Sequence, residues 1–293
     1  MKILTILLLL SIINVKGQEY ILISETDSLK LYDTYLSTNT TENIFPTIYN
    51  NGLIYRSIHK TSFYHLLYSD LKSKSKKIKI NKKFQLGAVS VFENEIYVTA
   101  RSKHVDSYGI SNLIIYKGYI ENLKVINLKA LPICNKNFTY ADPAISKDGN
   151  LMVVITNENG SYHLLEFIRN KNNEWERGEV IFISHPNFKI FNPTFYDKNT
   201  IYFSSNIYNG KLESLKYENV EGKLELVEEN REKGVFNIYK VQRKNGKWQL
   251  PAKAKALNSE FDELGVVFNT GTSGYITSFR FNNTDNIYYF ELK

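Results

Sequence analysis

Asp142-Pro143-Ala144-Ile145-Ser146-Lys147-Asp148-Gly149-Asn150-Leu151-Met152-Val153-Val154 is the stretch that decides the fold. A short run ending in Ile145, a polar turn at Asp148-Gly149 and a second apolar run read as two antiparallel strands joined tightly. Four other stretches repeat it. Phe45-Pro46-Thr47-Ile48 leads to Leu53-Ile54-Tyr55, and Gly87-Ala88-Val89 leads to Glu95-Ile96-Tyr97-Val98. Asn192-Pro193-Thr194-Phe195 leads to Ile201-Tyr202-Phe203, and Leu264-Gly265-Val266-Val267 leads to Gly274-Tyr275-Ile276-Thr277. The turns Asn51-Gly52, Asp148-Gly149 and Lys198-Asn199 carry residue types that favour the positive φ of two-residue loops.

Each unit goes on to a third strand: His65-Leu66-Leu67-Tyr68, Leu113-Ile114-Ile115-Tyr116, Tyr162-His163-Leu164-Leu165, Phe236-Asn237-Ile238-Tyr239 and Asn286-Ile287-Tyr288-Tyr289. Two units share a fourth element, with Asn172-Asn173-Glu174-Trp175 matching Asn245-Gly246-Lys247-Trp248. Anchored on Pro46, Ala88, Pro143, Pro193 and Gly265, the units are spaced 42, 55, 50 and 72 residues apart. Four-stranded units of about 40–55 residues are the signature of propeller blades. One such sheet cannot bury both faces, whereas sheets stacked radially bury each face on the next. The expected fold is therefore an all-β propeller of four-stranded antiparallel blades. The last unit has only three strands, so Ile21-Leu22-Ile23 and Leu29-Lys30-Leu31-Tyr32 are expected to complete it and close the ring. That gives five blades, or six if the N-terminal segment and its neighbours form one of their own. The long spacing holds a charged insertion, residues 211–233, read as a protruding hairpin with a Glu221-Gly222 turn.

These repeats resemble the WD-like propeller repeats of TolB-type proteins of bacterial envelopes. The resemblance lies in Asp142 to Leu151 and in Asn192 to Asn206, with Ile201-Tyr202-Phe203-Ser204-Ser205. The stretch from Gly234 through Trp248, Pro251, Leu257-Asn258 and Asp262-Glu263 is similar to the variant found ahead of OmpA-like domains. The family often has Asp where Asn237 stands, and the first two units lack the Asp-Gly turn. The resemblance covers roughly Tyr140 to Leu292, and the expectation is a propeller without the OmpA-like domain. It implies a periplasmic or outer-membrane-associated adaptor, and it marks Pro46, Pro143, Asp148, Gly149, Pro193, Tyr202, Ser204, Tyr239, Trp248 and Tyr288 as structural repeat positions.

The N-terminus reads as an export signal. Lys2 is followed by an apolar run from Ile3 to Val15, with Val15 and Gly17 at the −3 and −1 positions of a cleavage site. The run is shorter than the roughly 20 residues that span a bilayer. Residues 1–17 are expected to be removed, leaving 18–293 as one propeller domain with no transmembrane helix. One cysteine, Cys134, allows no internal disulfide and is expected to be a buried apolar residue. Stability then rests on apolar burial, which a chain that is 43% hydrophobic and 14% aromatic can supply.

The five histidines show no metal-ligand spacing, and neither a nucleophile elbow nor a phosphate-binding glycine loop is present. No cofactor is expected. Tyr140-Ala141-Asp142-Pro143 is similar to a motif of five-bladed glycosidases, which carry carboxylates near the central axis. Glycoside cleavage needs two carboxyls about 5–10 Å apart. Phe45 and Gly87 hold the corresponding places in the first two units, and only Glu263 is another acid near an anchor. The leading expectation is a non-catalytic scaffold for proteins of the envelope; the alternative is a carbohydrate-active or glycan-binding propeller. The net charge of +7 owes much to Lys72, Lys74, Lys76, Lys77, Lys79, Lys82 and Lys83, read as an edge hairpin. An anionic glycan or lipid headgroup would suit this run. It lacks the aromatic platform of a nucleic-acid site. The candidate interaction surface comprises these lysines with Lys211, Glu213, Glu221, Lys223, Glu228 and Glu229 of the insertion.

Overall fold

The computed structural model describes residues 20–58, 63–158, 160–207, 212–231, 234–281 and 284–293. Residues 1–17, read above as an export signal, lie outside them. Five antiparallel sheets are arranged as a β-propeller. From the axis outward, blade 1 comprises Glu42–Tyr49, Gly52–Ile58, His65–Ser69 and Lys76–Lys77. Blade 2 comprises Ser90–Phe92, Glu95–Arg101, Leu113–Glu121 and Lys124–Ala130, and blade 3 Tyr140–Ile145, Leu151–Thr156, His163–Arg169 and Trp175–Ile183. Blade 4 comprises Ile190–Asp197, Thr200–Ser205 and Asn237–Lys244, with a fourth strand split into Lys247–Trp248 and Ala252–Lys253. Blade 5 takes Glu263–Phe268, Ser273–Ser278 and Asn286–Leu292 from the C-terminal end and Leu29–Asp33 and Ile21–Glu25 from the N-terminal end.

Ring closure occurs where Leu31 pairs with Phe290 and Tyr32 with Tyr289. Ile21–Glu25 adds a fifth strand to this blade, so the six-blade alternative falls. Tyr20 stacks on Tyr289 at 4.4 Å beside that seam.

Burial falls from the second strand outward. Ser273–Ser278 is buried throughout, whereas Lys124–Ala130 is mostly exposed. A strand covered on both faces by neighbouring blades reads as a continuous apolar run rather than an alternating one. Among the described residues the core accordingly divides into five clusters, one at each blade boundary, and a smaller sixth near the axis. Ile54 and Leu66 meet Ile96 and Val98 between blades 1 and 2. Tyr97 and Ile115 meet Met152 and Val154 next, followed by Val153 and Ile155 against Ile201 and Phe203. Ile238 meets Val266 and Tyr288, and Tyr275 and Ile287 meet Leu53 and Tyr55. Each fully buried side chain of this kind contributes about 1.5–3 kcal/mol.

The two tryptophans of the shared fourth element have matching roles. The Arg169 guanidinium lies 4.5 Å from the Trp175 ring and bonds Glu95 of blade 2 at 2.8 Å. The Arg243 guanidinium lies 4.5 Å from the Trp248 ring and bonds Glu166 of blade 3 at 2.7 Å. Each tryptophan thus backs an arginine that clamps its blade to the preceding one. Cys134 is buried, and burial raises its thiol pKa to about 12, which suits a packing residue.

Three local readings need correction. The first hairpin has its positive φ angles at Asn50 and Asn51, with Gly52 already in the strand. There, a Cβ would strike the Ser69 backbone, so close approach is what requires glycine. Lys198-Asn199 has no positive φ; Asp197 Oδ1 accepts the Asn199 amide at 2.7 Å and holds the turn. The lysine run is not a hairpin of its own. Lys76–Lys77 forms the outermost strand of blade 1, and Lys82–Phe84 forms a 3₁₀ turn.

Candidate functional site

All inner strands start at the same end of the axis, termed here the upper end. The loops between blades, and those between second and third strands, lie on this face. At three inner strands the residue before the proline has positive φ: Phe45 (57°), Asp142 (48°) and Asn192 (45°). Pairing with the second strand skips at these places, forming bulges that leave amides without ladder partners.

Asp142 fills one of these vacancies and satisfies one further amide on blade 2. Its Oδ1 accepts the Ala88 amide of blade 2 at 2.9 Å, and its Oδ2 accepts the Asn192 amide of blade 4 at 3.1 Å. Its own amide donates to Thr99 Oγ1 at 3.1 Å. The side chain therefore ties three inner strands together. Burial pushes its pKa up, against the two amides and the nearby Arg56 charge, which pull it down. Other polar side chains bridge blades in the same way. Phe45 N–H donates to Thr277 Oγ1, Thr47 Oγ1 to Val89 O, and Ile145 N–H to Ser90 Oγ.

Arg56 closes over this end. It stacks 4.2 Å from the Tyr64 ring centroid and 5.6 Å from that of Phe45, and its Nη2 donates to Gln85 O at 2.8 Å. Phe45 and Ala88, with Tyr64 and Leu264 packed against them, make the apolar plug beneath.

Glu263, the second acid raised by the glycosidase reading, has no exposed surface. Its Oε1 accepts Arg280 Nε at 2.7 Å and Ser259 Oγ at 2.6 Å. Burial, opposed by Arg280, lifts its pKa to about 7. Asp285 is raised to about 6 by burial and by the Glu42 and Asp262 charges. The sequence reading missed Arg56, Arg280 and Asp285, which lie in no repeated pattern that would flag them.

A cavity of about 600 Å³ opens at the lower end. Pro46, Pro143, Pro193, Phe92, Phe195 and Phe268 contribute to its wall, with Glu93, Lys147 and Asn269 toward its exposed edge. Asp142 and Glu263 take no part in it.

The predicted interaction residues fall in two places. The seven lysines are all exposed on the outer edge of blade 1, and none is in an ion pair among the described residues. Lys79 forms a parallel bridge to Lys124 of blade 2, held by backbone bonds of 2.8 and 3.0 Å. The basic edge thus continues onto a second blade. The insertion forms a two-stranded hairpin, Leu212–Val220 with Lys223–Arg231, rising from the upper face of blade 4. Glu221 and Gly222 make its turn, both at positive φ, and Lys223 pairs with Val220. Lys211 lies outside the described residues; Glu213, Glu228 and Glu229 occupy hairpin strand positions.

Of the repeat positions, Tyr202 packs with Tyr196 and Phe268, and Ser204 Oγ donates to Glu263 O at 2.5 Å across the blade boundary. Tyr239 donates to Ile207 O at 2.5 Å, and Tyr288 is fully buried against Phe281. Asp148 accepts Ser146 Oγ and the Asn150 amide in its turn. Gly149 lies at φ +73° against the Phe92 ring, where any side chain would collide.

Exposed large apolar side chains are distributed unevenly. Tyr35, Phe63, Val105, Tyr108, Ile110 and Phe261 stand out from upper loops; among the described residues, the lower turns carry none. Isolated exposed apolar groups are ordinary on a folded protein. No helix among the described residues is long and apolar enough to cross a membrane.

No protein-family model matches the sequence. No curated protein sequence matches it either. Solved structures do resemble it. A PQQ-bound aldose sugar dehydrogenase from Streptomyces coelicolor is similar at a TM-score of 0.52 and 10% identity, over 91% of this chain and 98% of that one. A Bombyx mori GH32 β-fructofuranosidase is similar at 0.50 and 11%, over 86% of this chain and 60% of that one. TolB from Acinetobacter baumannii gives 0.46 and 13%, over 88% of this chain; the chain spans 57% of its length. At these identities the likeness is one of architecture, and what it establishes is the β-propeller fold.

Proposed function

We propose that this protein is a non-catalytic binding propeller of the bacterial envelope that docks a partner protein on its upper face. One observation carries the reading: both Asp142 carboxylate oxygens accept backbone amides from other blades. A nucleophile or acid must reach its substrate, whereas this side chain is buried and bound within the ring. Glu263 is likewise enclosed, paired with Arg280. The upper loops, by contrast, present apolar side chains on a rigid scaffold, the usual setting for recognition. The lysine edge suits an anionic glycan or lipid headgroup as a secondary contact. Export rests on the N-terminal signal pattern.

The cavity at the lower end favours a second reading, a propeller that binds a glycan without turnover, because it joins apolar walls with a few polar groups at its edge. Two measurements separate these readings from catalysis. A panel of aryl glycosides and oligosaccharides is expected to be hydrolysed no faster than in buffer. Cross-linked capture from envelope extract is expected to yield a partner that is lost in Tyr108→Asp/Phe261→Asp. Turnover abolished by Asp142→Asn in a folded variant would overturn the proposal, as would capture indifferent to the upper-face substitutions.

A further inference from the structure

The hairpin of blade 4 is a two-stranded sheet whose strands, among the described residues, pair only with each other. Such a ribbon is marginal alone in water, and it presents two open backbone edges. The edges are not equivalent. Lys216 pairs with Glu228 and Tyr217 with Leu226, so the extra residue, Val227, sits on the second strand and disturbs that edge. On the first strand the register runs unbroken from Ser214 to Lys216 and from Tyr217 to Val220. The irregularity at its base lies between Leu212 and Ser214.

The sequence on the regular edge is Lys216-Tyr217-Glu218, and all three side chains are exposed. Lys216 and Glu218 form an ion pair at 2.8 Å along one face, and Tyr217 occupies the other. The two-residue turn makes Val220 and Lys223 a hydrogen-bonded closing pair, so alternation points the Tyr217 amide and carbonyl to the open side. Two copies related by a two-fold axis through Tyr217 would then exchange backbone bonds at that residue. Lys216 of each copy would lie opposite Glu218 of the other, and Tyr217 opposite its own counterpart. The second strand carries the extra residue Val227 in the middle of its length, which breaks the even spacing of backbone groups that such pairing needs.

We infer that the chain self-associates as a two-fold dimer by antiparallel pairing of the Leu212–Val220 edges, forming a continuous four-stranded sheet between two propellers. The occupant of this edge is a second copy of the same chain. The partner on the upper face is a separate matter, and this inference does not depend on it.

Sedimentation velocity on the purified chain over about 1–200 μM tests it. The expected result is a monomer–dimer equilibrium. Lys216→Glu and Glu218→Lys each place like charges opposite one another twice per dimer, and each is expected to weaken association about tenfold. The double reversal, Lys216→Glu with Glu218→Lys, restores opposite charges and is expected to recover wild-type association to within about twofold. Both sites are exposed, and far-UV circular dichroism confirms that each variant is folded. A monomer at every concentration overturns the inference. So does a dimer indifferent to the single reversals, or a folded double variant that stays as weak as the singles.

Discussion

Removing the Asp142 carboxylate is expected to loosen three blades at once. In Asp142→Ala, the Ala88 and Asn192 amides lose acceptors now at 2.9 and 3.1 Å. An orphaned buried N–H costs about 1–3 kcal/mol, so two cost about 2–6 kcal/mol. Alanine also tolerates a φ of +48° less well than aspartate, by about 1 kcal/mol. Against this, burial already disfavours the charge and raises the carboxyl pKa, so deleting it returns part of the loss. A net destabilisation of about 3 kcal/mol is expected. Asp142→Asn keeps one acceptor oxygen but turns its NH₂ toward the second amide, for about half that loss. Gly87→Ala tests the same staple without replacing the acid, because its Cβ would press into Asp142 Oδ1. Urea unfolding followed by fluorescence reports all three, since Trp175 and Trp248 each lie against a clamping arginine at a blade boundary. An alanine variant within about 0.5 kcal/mol of wild type would refute the reasoning, because that is the range of an ordinary surface change. It would also return Asp142 to the pool of acids available for chemistry.

Two further perturbations have opposite pH signatures. Glu95 joins blade 2 to blade 3 through Arg169 at 2.8 Å and also pairs with Lys117 of its own blade, and Glu95→Gln is expected to cost about 2 kcal/mol in urea unfolding at pH 7, below the full figure for a completely buried pair. Burial raises the Glu95 pKa, but the bonds from Arg169, Lys117 and Tyr97 together leave it lowered; its stabilisation is present above the unfolded carboxyl range and fades as pH falls. The Gln deficit should therefore shrink in acid, and a deficit independent of pH would count against an ionised bridge. Glu263 has the reverse sign: its pKa rises from 4.5 to about 7, so its stabilisation is full below the unfolded value and is lost as pH rises through 7. Wild type minus Glu263→Gln stability is expected to fall between pH 4.5 and 8 by at most about 3 kcal/mol, and a rise over that window would show that pairing with Arg280 outweighs burial.

The blade repeat is legible because its cause is local. Strands covered on both faces must be apolar throughout, as in Leu151–Thr156 and Ile201-Tyr202-Phe203, and the turns between them must be polar. Closure by the N-terminal segment is legible too, since Leu29-Lys30-Leu31 alternates as a half-covered outer strand does. Individual turn conformations are less so. Asn50 and Asn51 share the left-handed region while Gly52 enters the strand, and Asp197 holds the next comparable turn with a side-chain oxygen. Composition allows either solution, and the twist of the flanking strands selects one. The lysine run has no apolar rhythm, so only pairing with Leu67 and Tyr68 reveals that Lys76 and Lys77 are strand.

The axial groups were illegible for a different reason. Ala88 lies 54 residues before Asp142, and Asn192 lies 50 after it. No local pattern distinguishes an aspartate that will meet those amides from one that will face a substrate. The demand for it is nevertheless physical. Every inner strand of a propeller is an edge strand, and bulges at Phe45, Asp142 and Asn192 free further amides where five edges converge and water is excluded. A chain with a single cysteine closes this ring without a disulfide, so Asp142, Thr277, Thr99 and Ser90 supply the missing acceptors. Each such bond holds the ring and removes a polar group from the axis as a reactive element. On the proposed reading, recognition falls to groups the ring does not need: the upper loops with their exposed aromatic residues, the lysine edge, and a hairpin that, among the described residues, pairs with no blade. If these peripheral groups were merely solvated decoration, deleting them would leave binding and self-association untouched, whereas altering Asp142 would change stability alone.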